Sequence, residues 1–451
     1  MDDKFEELEI TDLAFDGKSV AHRDGKVVFL KGGLPGETVR ARITRRKPRY
    51  DEGVVDEIIV RSDMRIPAVC THFDECGGCT WQDLKYEHQL AFKKKQVTDC
   101  IERIGGLKTT LIEDVIGSVE LFNYRNKMEY SFHVQPDGDF TLGLHRRGHF
   151  DQIFDLDACH LQSPLSNNIV AWVRDYVKQE GIPVYDVRNH TGYMRFLVIR
   201  TGKRTGQTMV NLVTNYGEFP NPTGLVAAMR EAFPDITTII HNQNGQKSNI
   251  ATGEIEQVLF GPGSIEERLF ERRFRIRANS FFQTNSLQAE ALYRTAFDLL
   301  EPQQSDSVLD LYCGTGSIGL LLSEYVADVT GVELVGDAVR IARENAALNG
   351  IENISFFEGD VKDYLASPDV IGQNFSVVVI DPPRAGLHPK ALRRLLELLP
   401  PKLLYISCNP STFARDAKTL VEAGYDLPKV RPVDMFPQTM HIEVVGLFHH
   451  V

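Results

Sequence analysis

From about residue 275 onward, apolar strand-like runs alternate with helix-like stretches, and this alternation restricts the fold more than any other feature. SVLDLY (307–312), ADVTGVE (327–333), SVVVID (376–381) and LLYISC (403–408) read as buried strands. A helix is expected to begin near Ser317. Another is expected over 337–349, where Ala338, Ile341, Ala342 and Leu348 are apolar and Gly350 ends the pattern. Apolar strands alternating with helices pack as a doubly wound parallel sheet, an α/β Rossmann-like domain. Ligands of such sheets bind at the carboxyl ends of the strands.

Those strand ends carry the chemistry. Asp310-Leu-Tyr-Cys-Gly-Thr-Gly-Ser-Ile-Gly319 lies where a strand gives way to a helix, so its glycines let the backbone approach a ligand closely. Glu333 ends the next strand, placed to accept hydrogen bonds from ribose hydroxyls. Gly314-x-Gly316-x-x-Gly319 also matches the dinucleotide fingerprint, so on this loop alone a nicotinamide oxidoreductase competes. Two further tips weigh against it, Asp381-Pro-Pro-Arg384 and Ser407-Cys-Asn-Pro410, both on the glycine loop's edge. Hydride transfer has no use for either. The bland reading of Asp381-Pro-Pro is a stiff turn. A cysteine after LLYIS is by default a small buried hydrophobe, but Asn409-Pro410 argues for a surface turn at Cys408. Glu443, between Ile442 and Val444, is either an exposed strand glutamate or a carboxyl whose raised pKa suits proton abstraction. A thiolate, a base and a methyl donor are the parts needed to methylate carbon 5 of uracil. Thiolate addition to carbon 6 makes carbon 5 enolate-like.

Residues 1–61 read as a small all-β module. VVFL (27–30) is a strand, and Val39, Ala41 and Ile43 alternate with Arg40, Arg42 and Thr44, which puts Arg40 and Arg42 on one outward face. Turn signals fall at Asp16-Gly17, Asp24-Gly25 and Gly32-Gly33, and a five-strand OB-like barrel fits. The formal net charge of −12 disfavours nucleic acid only on average. RARITRRKPR (40–49) and RLFERRFRIR (268–277) are basic, and each is either an RNA contact or a solvated face.

Residues 62–274 read as an α+β central domain in which FLVIRT (196–201) and TMVNLVT (208–214) form a hairpin. The chain has seven cysteines and begins MDDKFEELE, unlike a signal peptide, so metal binding or catalysis is favoured over disulfides. Cys70-x5-Cys76-x2-Cys79, with Cys159 far downstream, offers four thiolates. By spacing they hold zinc or a [4Fe–4S] cluster equally well. No apolar run approaches membrane-spanning length, and a cytoplasmic monomer is expected.

The motifs FFQTN (281–285), DLYCGTG (310–316), GVE (331–333), DPPR (381–384), SCNP (407–410) and FPQTMHIE (436–443) belong together. The chain resembles, over nearly its whole length, the bacterial uracil-5 RNA methyltransferases of the RumA and TrmA type. The resemblance implies a TRAM-like barrel over 1–61, a cluster-bearing central domain over 62–274 and an S-adenosylmethionine-dependent methyltransferase domain over 275–451. It implies Cys408 as nucleophile and Glu443 as general base. Gln283, Tyr312, Glu333 and Asp381 would contact S-adenosylmethionine, with Asp360 a weaker candidate near the adenine. It also implies a [4Fe–4S] cluster on Cys70, Cys76, Cys79 and Cys159. The substrate implied is 23S ribosomal RNA, with tRNA the alternative.

Overall fold

The computed structural model describes residues 5–15, 17–135, 138–247, 249–368, 370 and 372–451, so Asp16 of the first expected turn lies outside them. The N-terminal strands close a barrel in the order Phe5–Leu13, Ser19–Arg23, Lys26–Lys31, Tyr50–Val60, Thr38–Arg46. The alternation read in the sequence fills its core with Leu8, Ile10, Ala21, Val28, Leu30, Val39 and Ala41. Asp24 and Gly25 have φ of 48° and 78°, the two-residue turn whose twist matches a hairpin. Arg40 and Arg42 face outward, but Arg40 is tied to Asp56 and Glu57.

The central region is built on a seven-stranded sheet in the order Ile255–Phe260, Ile236–Gln243, Thr208–Thr214, Met194–Thr201, Lys127–Val134, Phe140–His145, Ile153–Asp155. The 196–214 hairpin is there as read, antiparallel through Ile199↔Val210. A separate hairpin, Ile265–Leu269 with Arg272–Ile276, carries the second basic stretch. Arg273 pairs with Glu266, Arg277 with Glu344 and Arg272 with Glu324, so much of its charge is matched within the chain.

The third layer is a nine-stranded sheet. Five parallel strands run Ile354–Glu358, Asp328–Glu333, Ser307–Leu311, Val377–Ile380, Lys402–Ser407. Order reverses between Ser307–Leu311 and Val377–Ile380, and the crevice beyond their carboxyl ends is where such a sheet takes its ligand. Glu443–His450 joins antiparallel, followed by Lys429–Val433 and by Leu111–Ile112 from far upstream. Helix Tyr86–Arg103 buries Val97, Cys100 and Ile101 in one core with Phe413, Ala417 and Leu420 of helix Pro410–Glu422. Segment 86–112, which the sequence assigns to the central region, thus packs on this sheet. No helix among the described residues is long and apolar enough to cross a membrane.

Candidate active site

The parallel strands deliver their tips to one cavity of about 1860 Å³. Gln283, Tyr312, Glu333, Asp360, Asp381, Cys408 and Glu443 line it, and Cys70, Cys76, Cys79 and Cys159 line its far end.

At the glycine loop, Gly314 and Gly316 have φ of 56° and 82°. A Cβ on Gly314 would meet no atom within 4 Å, whereas one on Gly316 would approach the Phe356 ring at 2.9 Å. The first glycine leaves the cavity side open, and the second lets the following helix pack closely. Tyr312 sits at φ 63° without being glycine, a conformation that persists where its surroundings over-determine it. Asp310 Oδ2 accepts from Gly319 N at 3.0 Å, while its Oδ1 is buried without a protein partner. Burial, then Asp381 nearby, pushes the Asp310 carboxyl up to about 8. Glu333 accepts from Gly314 N at 3.1 Å and Val335 N at 2.9 Å, which fixes the carboxylate while leaving further lone pairs for a diol. Gln283 precedes helix Ser286–Leu300, whose cap Asn285 accepts from Gln288 N. Asn126 Nδ2 donates to Gln283 O at 2.9 Å and holds that turn. An open glycine loop beside a pinned acidic strand end fits a nucleoside carrying a diol, as S-adenosylmethionine does.

At the tip of the last parallel strand, Cys408 follows Lys402–Ser407 and is half-buried. Asn409-Pro410 is a helix start rather than a free turn: Asn409 Oδ1 accepts from Ser411 N at 3.1 Å, and Pro410 opens the helix. Glu443, only 5% exposed, begins strand Glu443–His450 and is a buried carboxyl, not a surface one. Burial and then Asp381 hold it well above the usual carboxylate range. Burial alone pushes Asp381 up to about 7. Burial, then Glu443 and Asp381, pushes the Cys408 thiol up to about 11, against a hydrogen bond and a favourable charge from Arg384. Arg384 closes the DPPR motif, yet the sequence assigns it no role. Its own backbone is fixed by Asn409 Nδ2 donating to Arg384 O at 3.0 Å. Three acids thus share the neighbourhood of one guanidinium.

A strap, residues 434–442, leaves the sheet after Lys429–Val433 and returns where Glu443 pairs with Val433. Phe436, Thr439 and His441 of the strap line the cavity. Burial, with Arg384 nearby, lowers the His441 imidazole to about 4. Behind the strap, fully buried Lys93 pairs with Asp434 at 2.6 Å and donates to Phe436 O at 3.1 Å. Tyr86 donates to Asp434 Oδ2 at 2.9 Å, and Tyr124 to Pro437 O at 3.1 Å. Sequence reasoning missed Gln89, Lys93 and Asp434. A usable signal was present: Gln89, Lys93, Gln96, Val97, Cys100 and Ile101 form one helical stripe that is buried despite its polar members.

At the far end, burial and then the neighbouring thiols push Cys79 up to about 12. Burial pushes Cys159 up to about 11. Cys76 Sγ accepts from Gly78 N, and Cys79 Sγ from Gln82 Nε2, both at 3.3 Å. Arg147 clamps this segment by donating to Phe73 O, Cys76 O and Cys79 O. Among the described residues, no three His, Cys, Asp or Glu side chains stand close enough to hold one metal ion.

A glycine loop, an acidic strand end, a thiol and a buried carboxyl on one doubly wound sheet, joined to a nucleic-acid-type barrel, define an S-adenosylmethionine-dependent RNA methyltransferase. Residues 85–450 match the family described as tRNA (Uracil-5-)-methyltransferase, and residues 4–55 match the TRAM domain. The chain belongs to this uracil-5 RNA methyltransferase family, of RumA and TrmA type. It is 40% identical to an uncharacterized RNA methyltransferase of Chlorobaculum tepidum, covering 98% of this chain and 95% of that one. It is also 40% identical to one of Porphyromonas gingivalis, covering 98% and 99%. The solved tRNA (uracil-54, C5)-methyltransferase of Pyrococcus abyssi, in complex with S-adenosyl-L-homocysteine, superposes with a TM-score of 0.78 at 30% identity, covering 98% of this chain and 100% of that one.

Proposed function

We propose that the protein methylates carbon 5 of a uridine in RNA, with Cys408 as covalent nucleophile and Glu443 as base. The observation that carries this reading is the half-buried Cys408 thiol sharing, with the buried Glu443 carboxyl and Arg384, the cavity onto which the glycine loop opens. Arg384 favours the thiolate of Cys408. The thiolate adds to carbon 6 and pushes electron density to carbon 5 and the adjoining carbonyl. Gln283, Tyr312, Glu333 and Asp381 would hold S-adenosylmethionine, which supplies an electrophilic methyl group. Once carbon 5 is methylated, Glu443 takes its proton, the 5,6 double bond re-forms and the thiolate leaves. A carboxyl with a raised pKa is a stronger base when ionised, which suits this step.

Glu443→Gln tests the assignment. Addition and methyl transfer should proceed while elimination stalls, so the enzyme should run as a covalent adduct with methylated RNA on a denaturing gel. RNA containing 5-fluorouridine should trap the parent enzyme likewise, because fluorine does not leave as a proton. Normal turnover by Glu443→Gln, with no adduct from either route, would overturn the mechanism.

Cys70, Cys76, Cys79 and Cys159 would hold a [4Fe–4S] cluster. Their mutual proximity supports this: two are buried and two half-buried, and each of Cys79 and Cys159 feels the charge of Cys70 and Cys76.

The target we infer is 23S ribosomal RNA, supported by the barrel combined with the cysteine set. A tRNA target is the second reading. It is favoured by the Pyrococcus abyssi enzyme, whose likeness spans 98% of this chain and therefore includes the barrel. Mass mapping of 5-methyluridine in both RNA classes from a deletion strain separates the two.

A further inference from the structure

The strap carries one residue in a costly conformation. Gln438 is 4% exposed and has φ 69°, the left-handed region that side chains other than glycine rarely occupy. Its hydrogen bonds come from a segment remote in sequence. Thr80 N and Trp81 N donate to Gln438 O at 3.0 and 3.1 Å. Gln438 N donates to Gln89 Oε1 at 3.0 Å. Gln89 Nε2 donates to Gln438 Oε1 at 3.0 Å and to Trp81 O and Leu84 O at 2.9 Å. Met440 N donates to Thr80 Oγ1 at 3.0 Å. Gln89 is itself 1% exposed, so the bonds its side chain makes are made away from water. The Gln89 side chain binds both the backbone and the side-chain amide of Gln438, a pairing that specifies conformation rather than merely filling space.

We propose that Gln89, assisted by Thr80, is a positioning residue for the reaction. It locks Gln438 in the left-handed turn and thereby sets the strap wall, His441 and the start of strand Glu443–His450 against the reacting carbon 5. Neither residue lines the cavity, so both act through the strap. The inference rests on Glu443 being the base. The step most sensitive to the wall is proton removal, because Glu443 follows the strap directly whereas Cys408 is carried by a different strand and its helix. The held segment begins one residue after Cys79, so the packing of the four-thiol corner bears on the same wall.

The test is Gln89→Leu in the full chain, with total RNA from a deletion strain as substrate. Binding of S-adenosylmethionine, read by calorimetry, should be unchanged. Covalent trapping on 5-fluorouridine RNA should stay within about threefold of the parent, because nucleophile and donor are untouched. Turnover on ordinary RNA should fall about 10- to 100-fold, with a covalent RNA adduct accumulating as elimination lags. Thr80→Val, which removes only the acceptor for Met440 N, should shift the adduct fraction in the same direction by a smaller factor, and it decides the matter if Gln89→Leu does not fold. A lowered melting temperature with parental turnover per folded enzyme and no adduct, in whichever variant folds, overturns the proposal. Glu443→Gln, run alongside, separates the failures. If it accumulates adduct and the positioning variants do not, this inference alone is lost. If it accumulates none, the base assignment fails and takes this inference with it.

Discussion

The two ends of the cavity hold similar materials under similar pressure. Each gathers acids out of water, and burial raises every one of them. They differ in what stands beside the shifted thiols. Around Cys408, Asp381 reaches about 7 and the thiol itself about 11, with the Arg384 guanidinium beside it as a favourable charge. At the cysteine end Cys79 and Cys159 rise to about 12 and 11, and the charged neighbours of each are other thiols. Such thiols become useful when a cation replaces their protons. The same desolvation therefore sets a thiol beside a guanidinium at one end and thiols beside thiols at the other.

Removing a thiol from each end should separate the two most sharply. Cys408→Ala should reduce methylation by about 10³-fold or more, as loss of a nucleophile does, with S-adenosylmethionine affinity and melting temperature near the parent's. Methylation persisting in this variant breaks the assignment of roles. Cys76→Ser should do the reverse. Anaerobically purified parent should carry about four irons per chain by the four-thiolate rule, and the variant should lose most of them and melt well below the parent. Iron analysis and calorimetry check this, and stoichiometric zinc in the parent would show a different metal.

A smaller effect concerns pH. The Asp310 carboxyl has a folded value of about 8 against an ordinary 3.8, so the folded chain binds a proton there that the unfolded chain releases. Its contribution opposes folding increasingly as pH rises from about 4 to about 8, then levels off. Asp310→Asn keeps an acceptor for Gly319 N and removes the titration. The melting temperature of the variant minus that of the parent, without cofactor, should thus grow between pH 5 and pH 8. A difference that stays flat or shrinks shows that this carboxyl is not held protonated.

The smallest effect belongs to the barrel. Arg40 already faces Asp56 and Glu57, so Arg42→Glu with Arg45→Glu is the better probe. RNA binding should weaken, and the salt slope should fall by about one for each phosphate no longer neutralised. An unchanged slope moves the RNA surface elsewhere.

The parallel strands were legible because burial on both faces leaves unbroken apolar runs such as SVVVID. The barrel was legible because one wet face leaves the alternation of Val39, Ala41 and Ile43. Cys408 and Glu443 stood out as motif members, yet the burial and charges around each depend on the fold. Arg384 sat in plain view as the last letter of DPPR, but its bearing on Cys408 depends on two strand tips meeting. The Lys93–Asp434 pair was hidden for a different reason. Charged residues signal surface in a sequence, and only the fold shows that these two neutralise each other inside. Strand Leu111–Ile112 is two residues long and carries no periodicity to read.

That short strand has a consequence for how the molecule comes together. It zips in parallel onto Lys429–Val433, and helix Tyr86–Arg103 beds against helix Pro410–Glu422, so an early stretch of chain must wait for one of the last before either is covered. Pairings this distant carry a large loop-closure entropy and slow the search for the native state. A fragment cut at residue 275 would bare the apolar seat of Val97, Cys100 and Ile101. Refolding of the whole chain should accordingly pass through a late docking phase, and the fragment on its own should associate or precipitate rather than work as a free-standing catalyst.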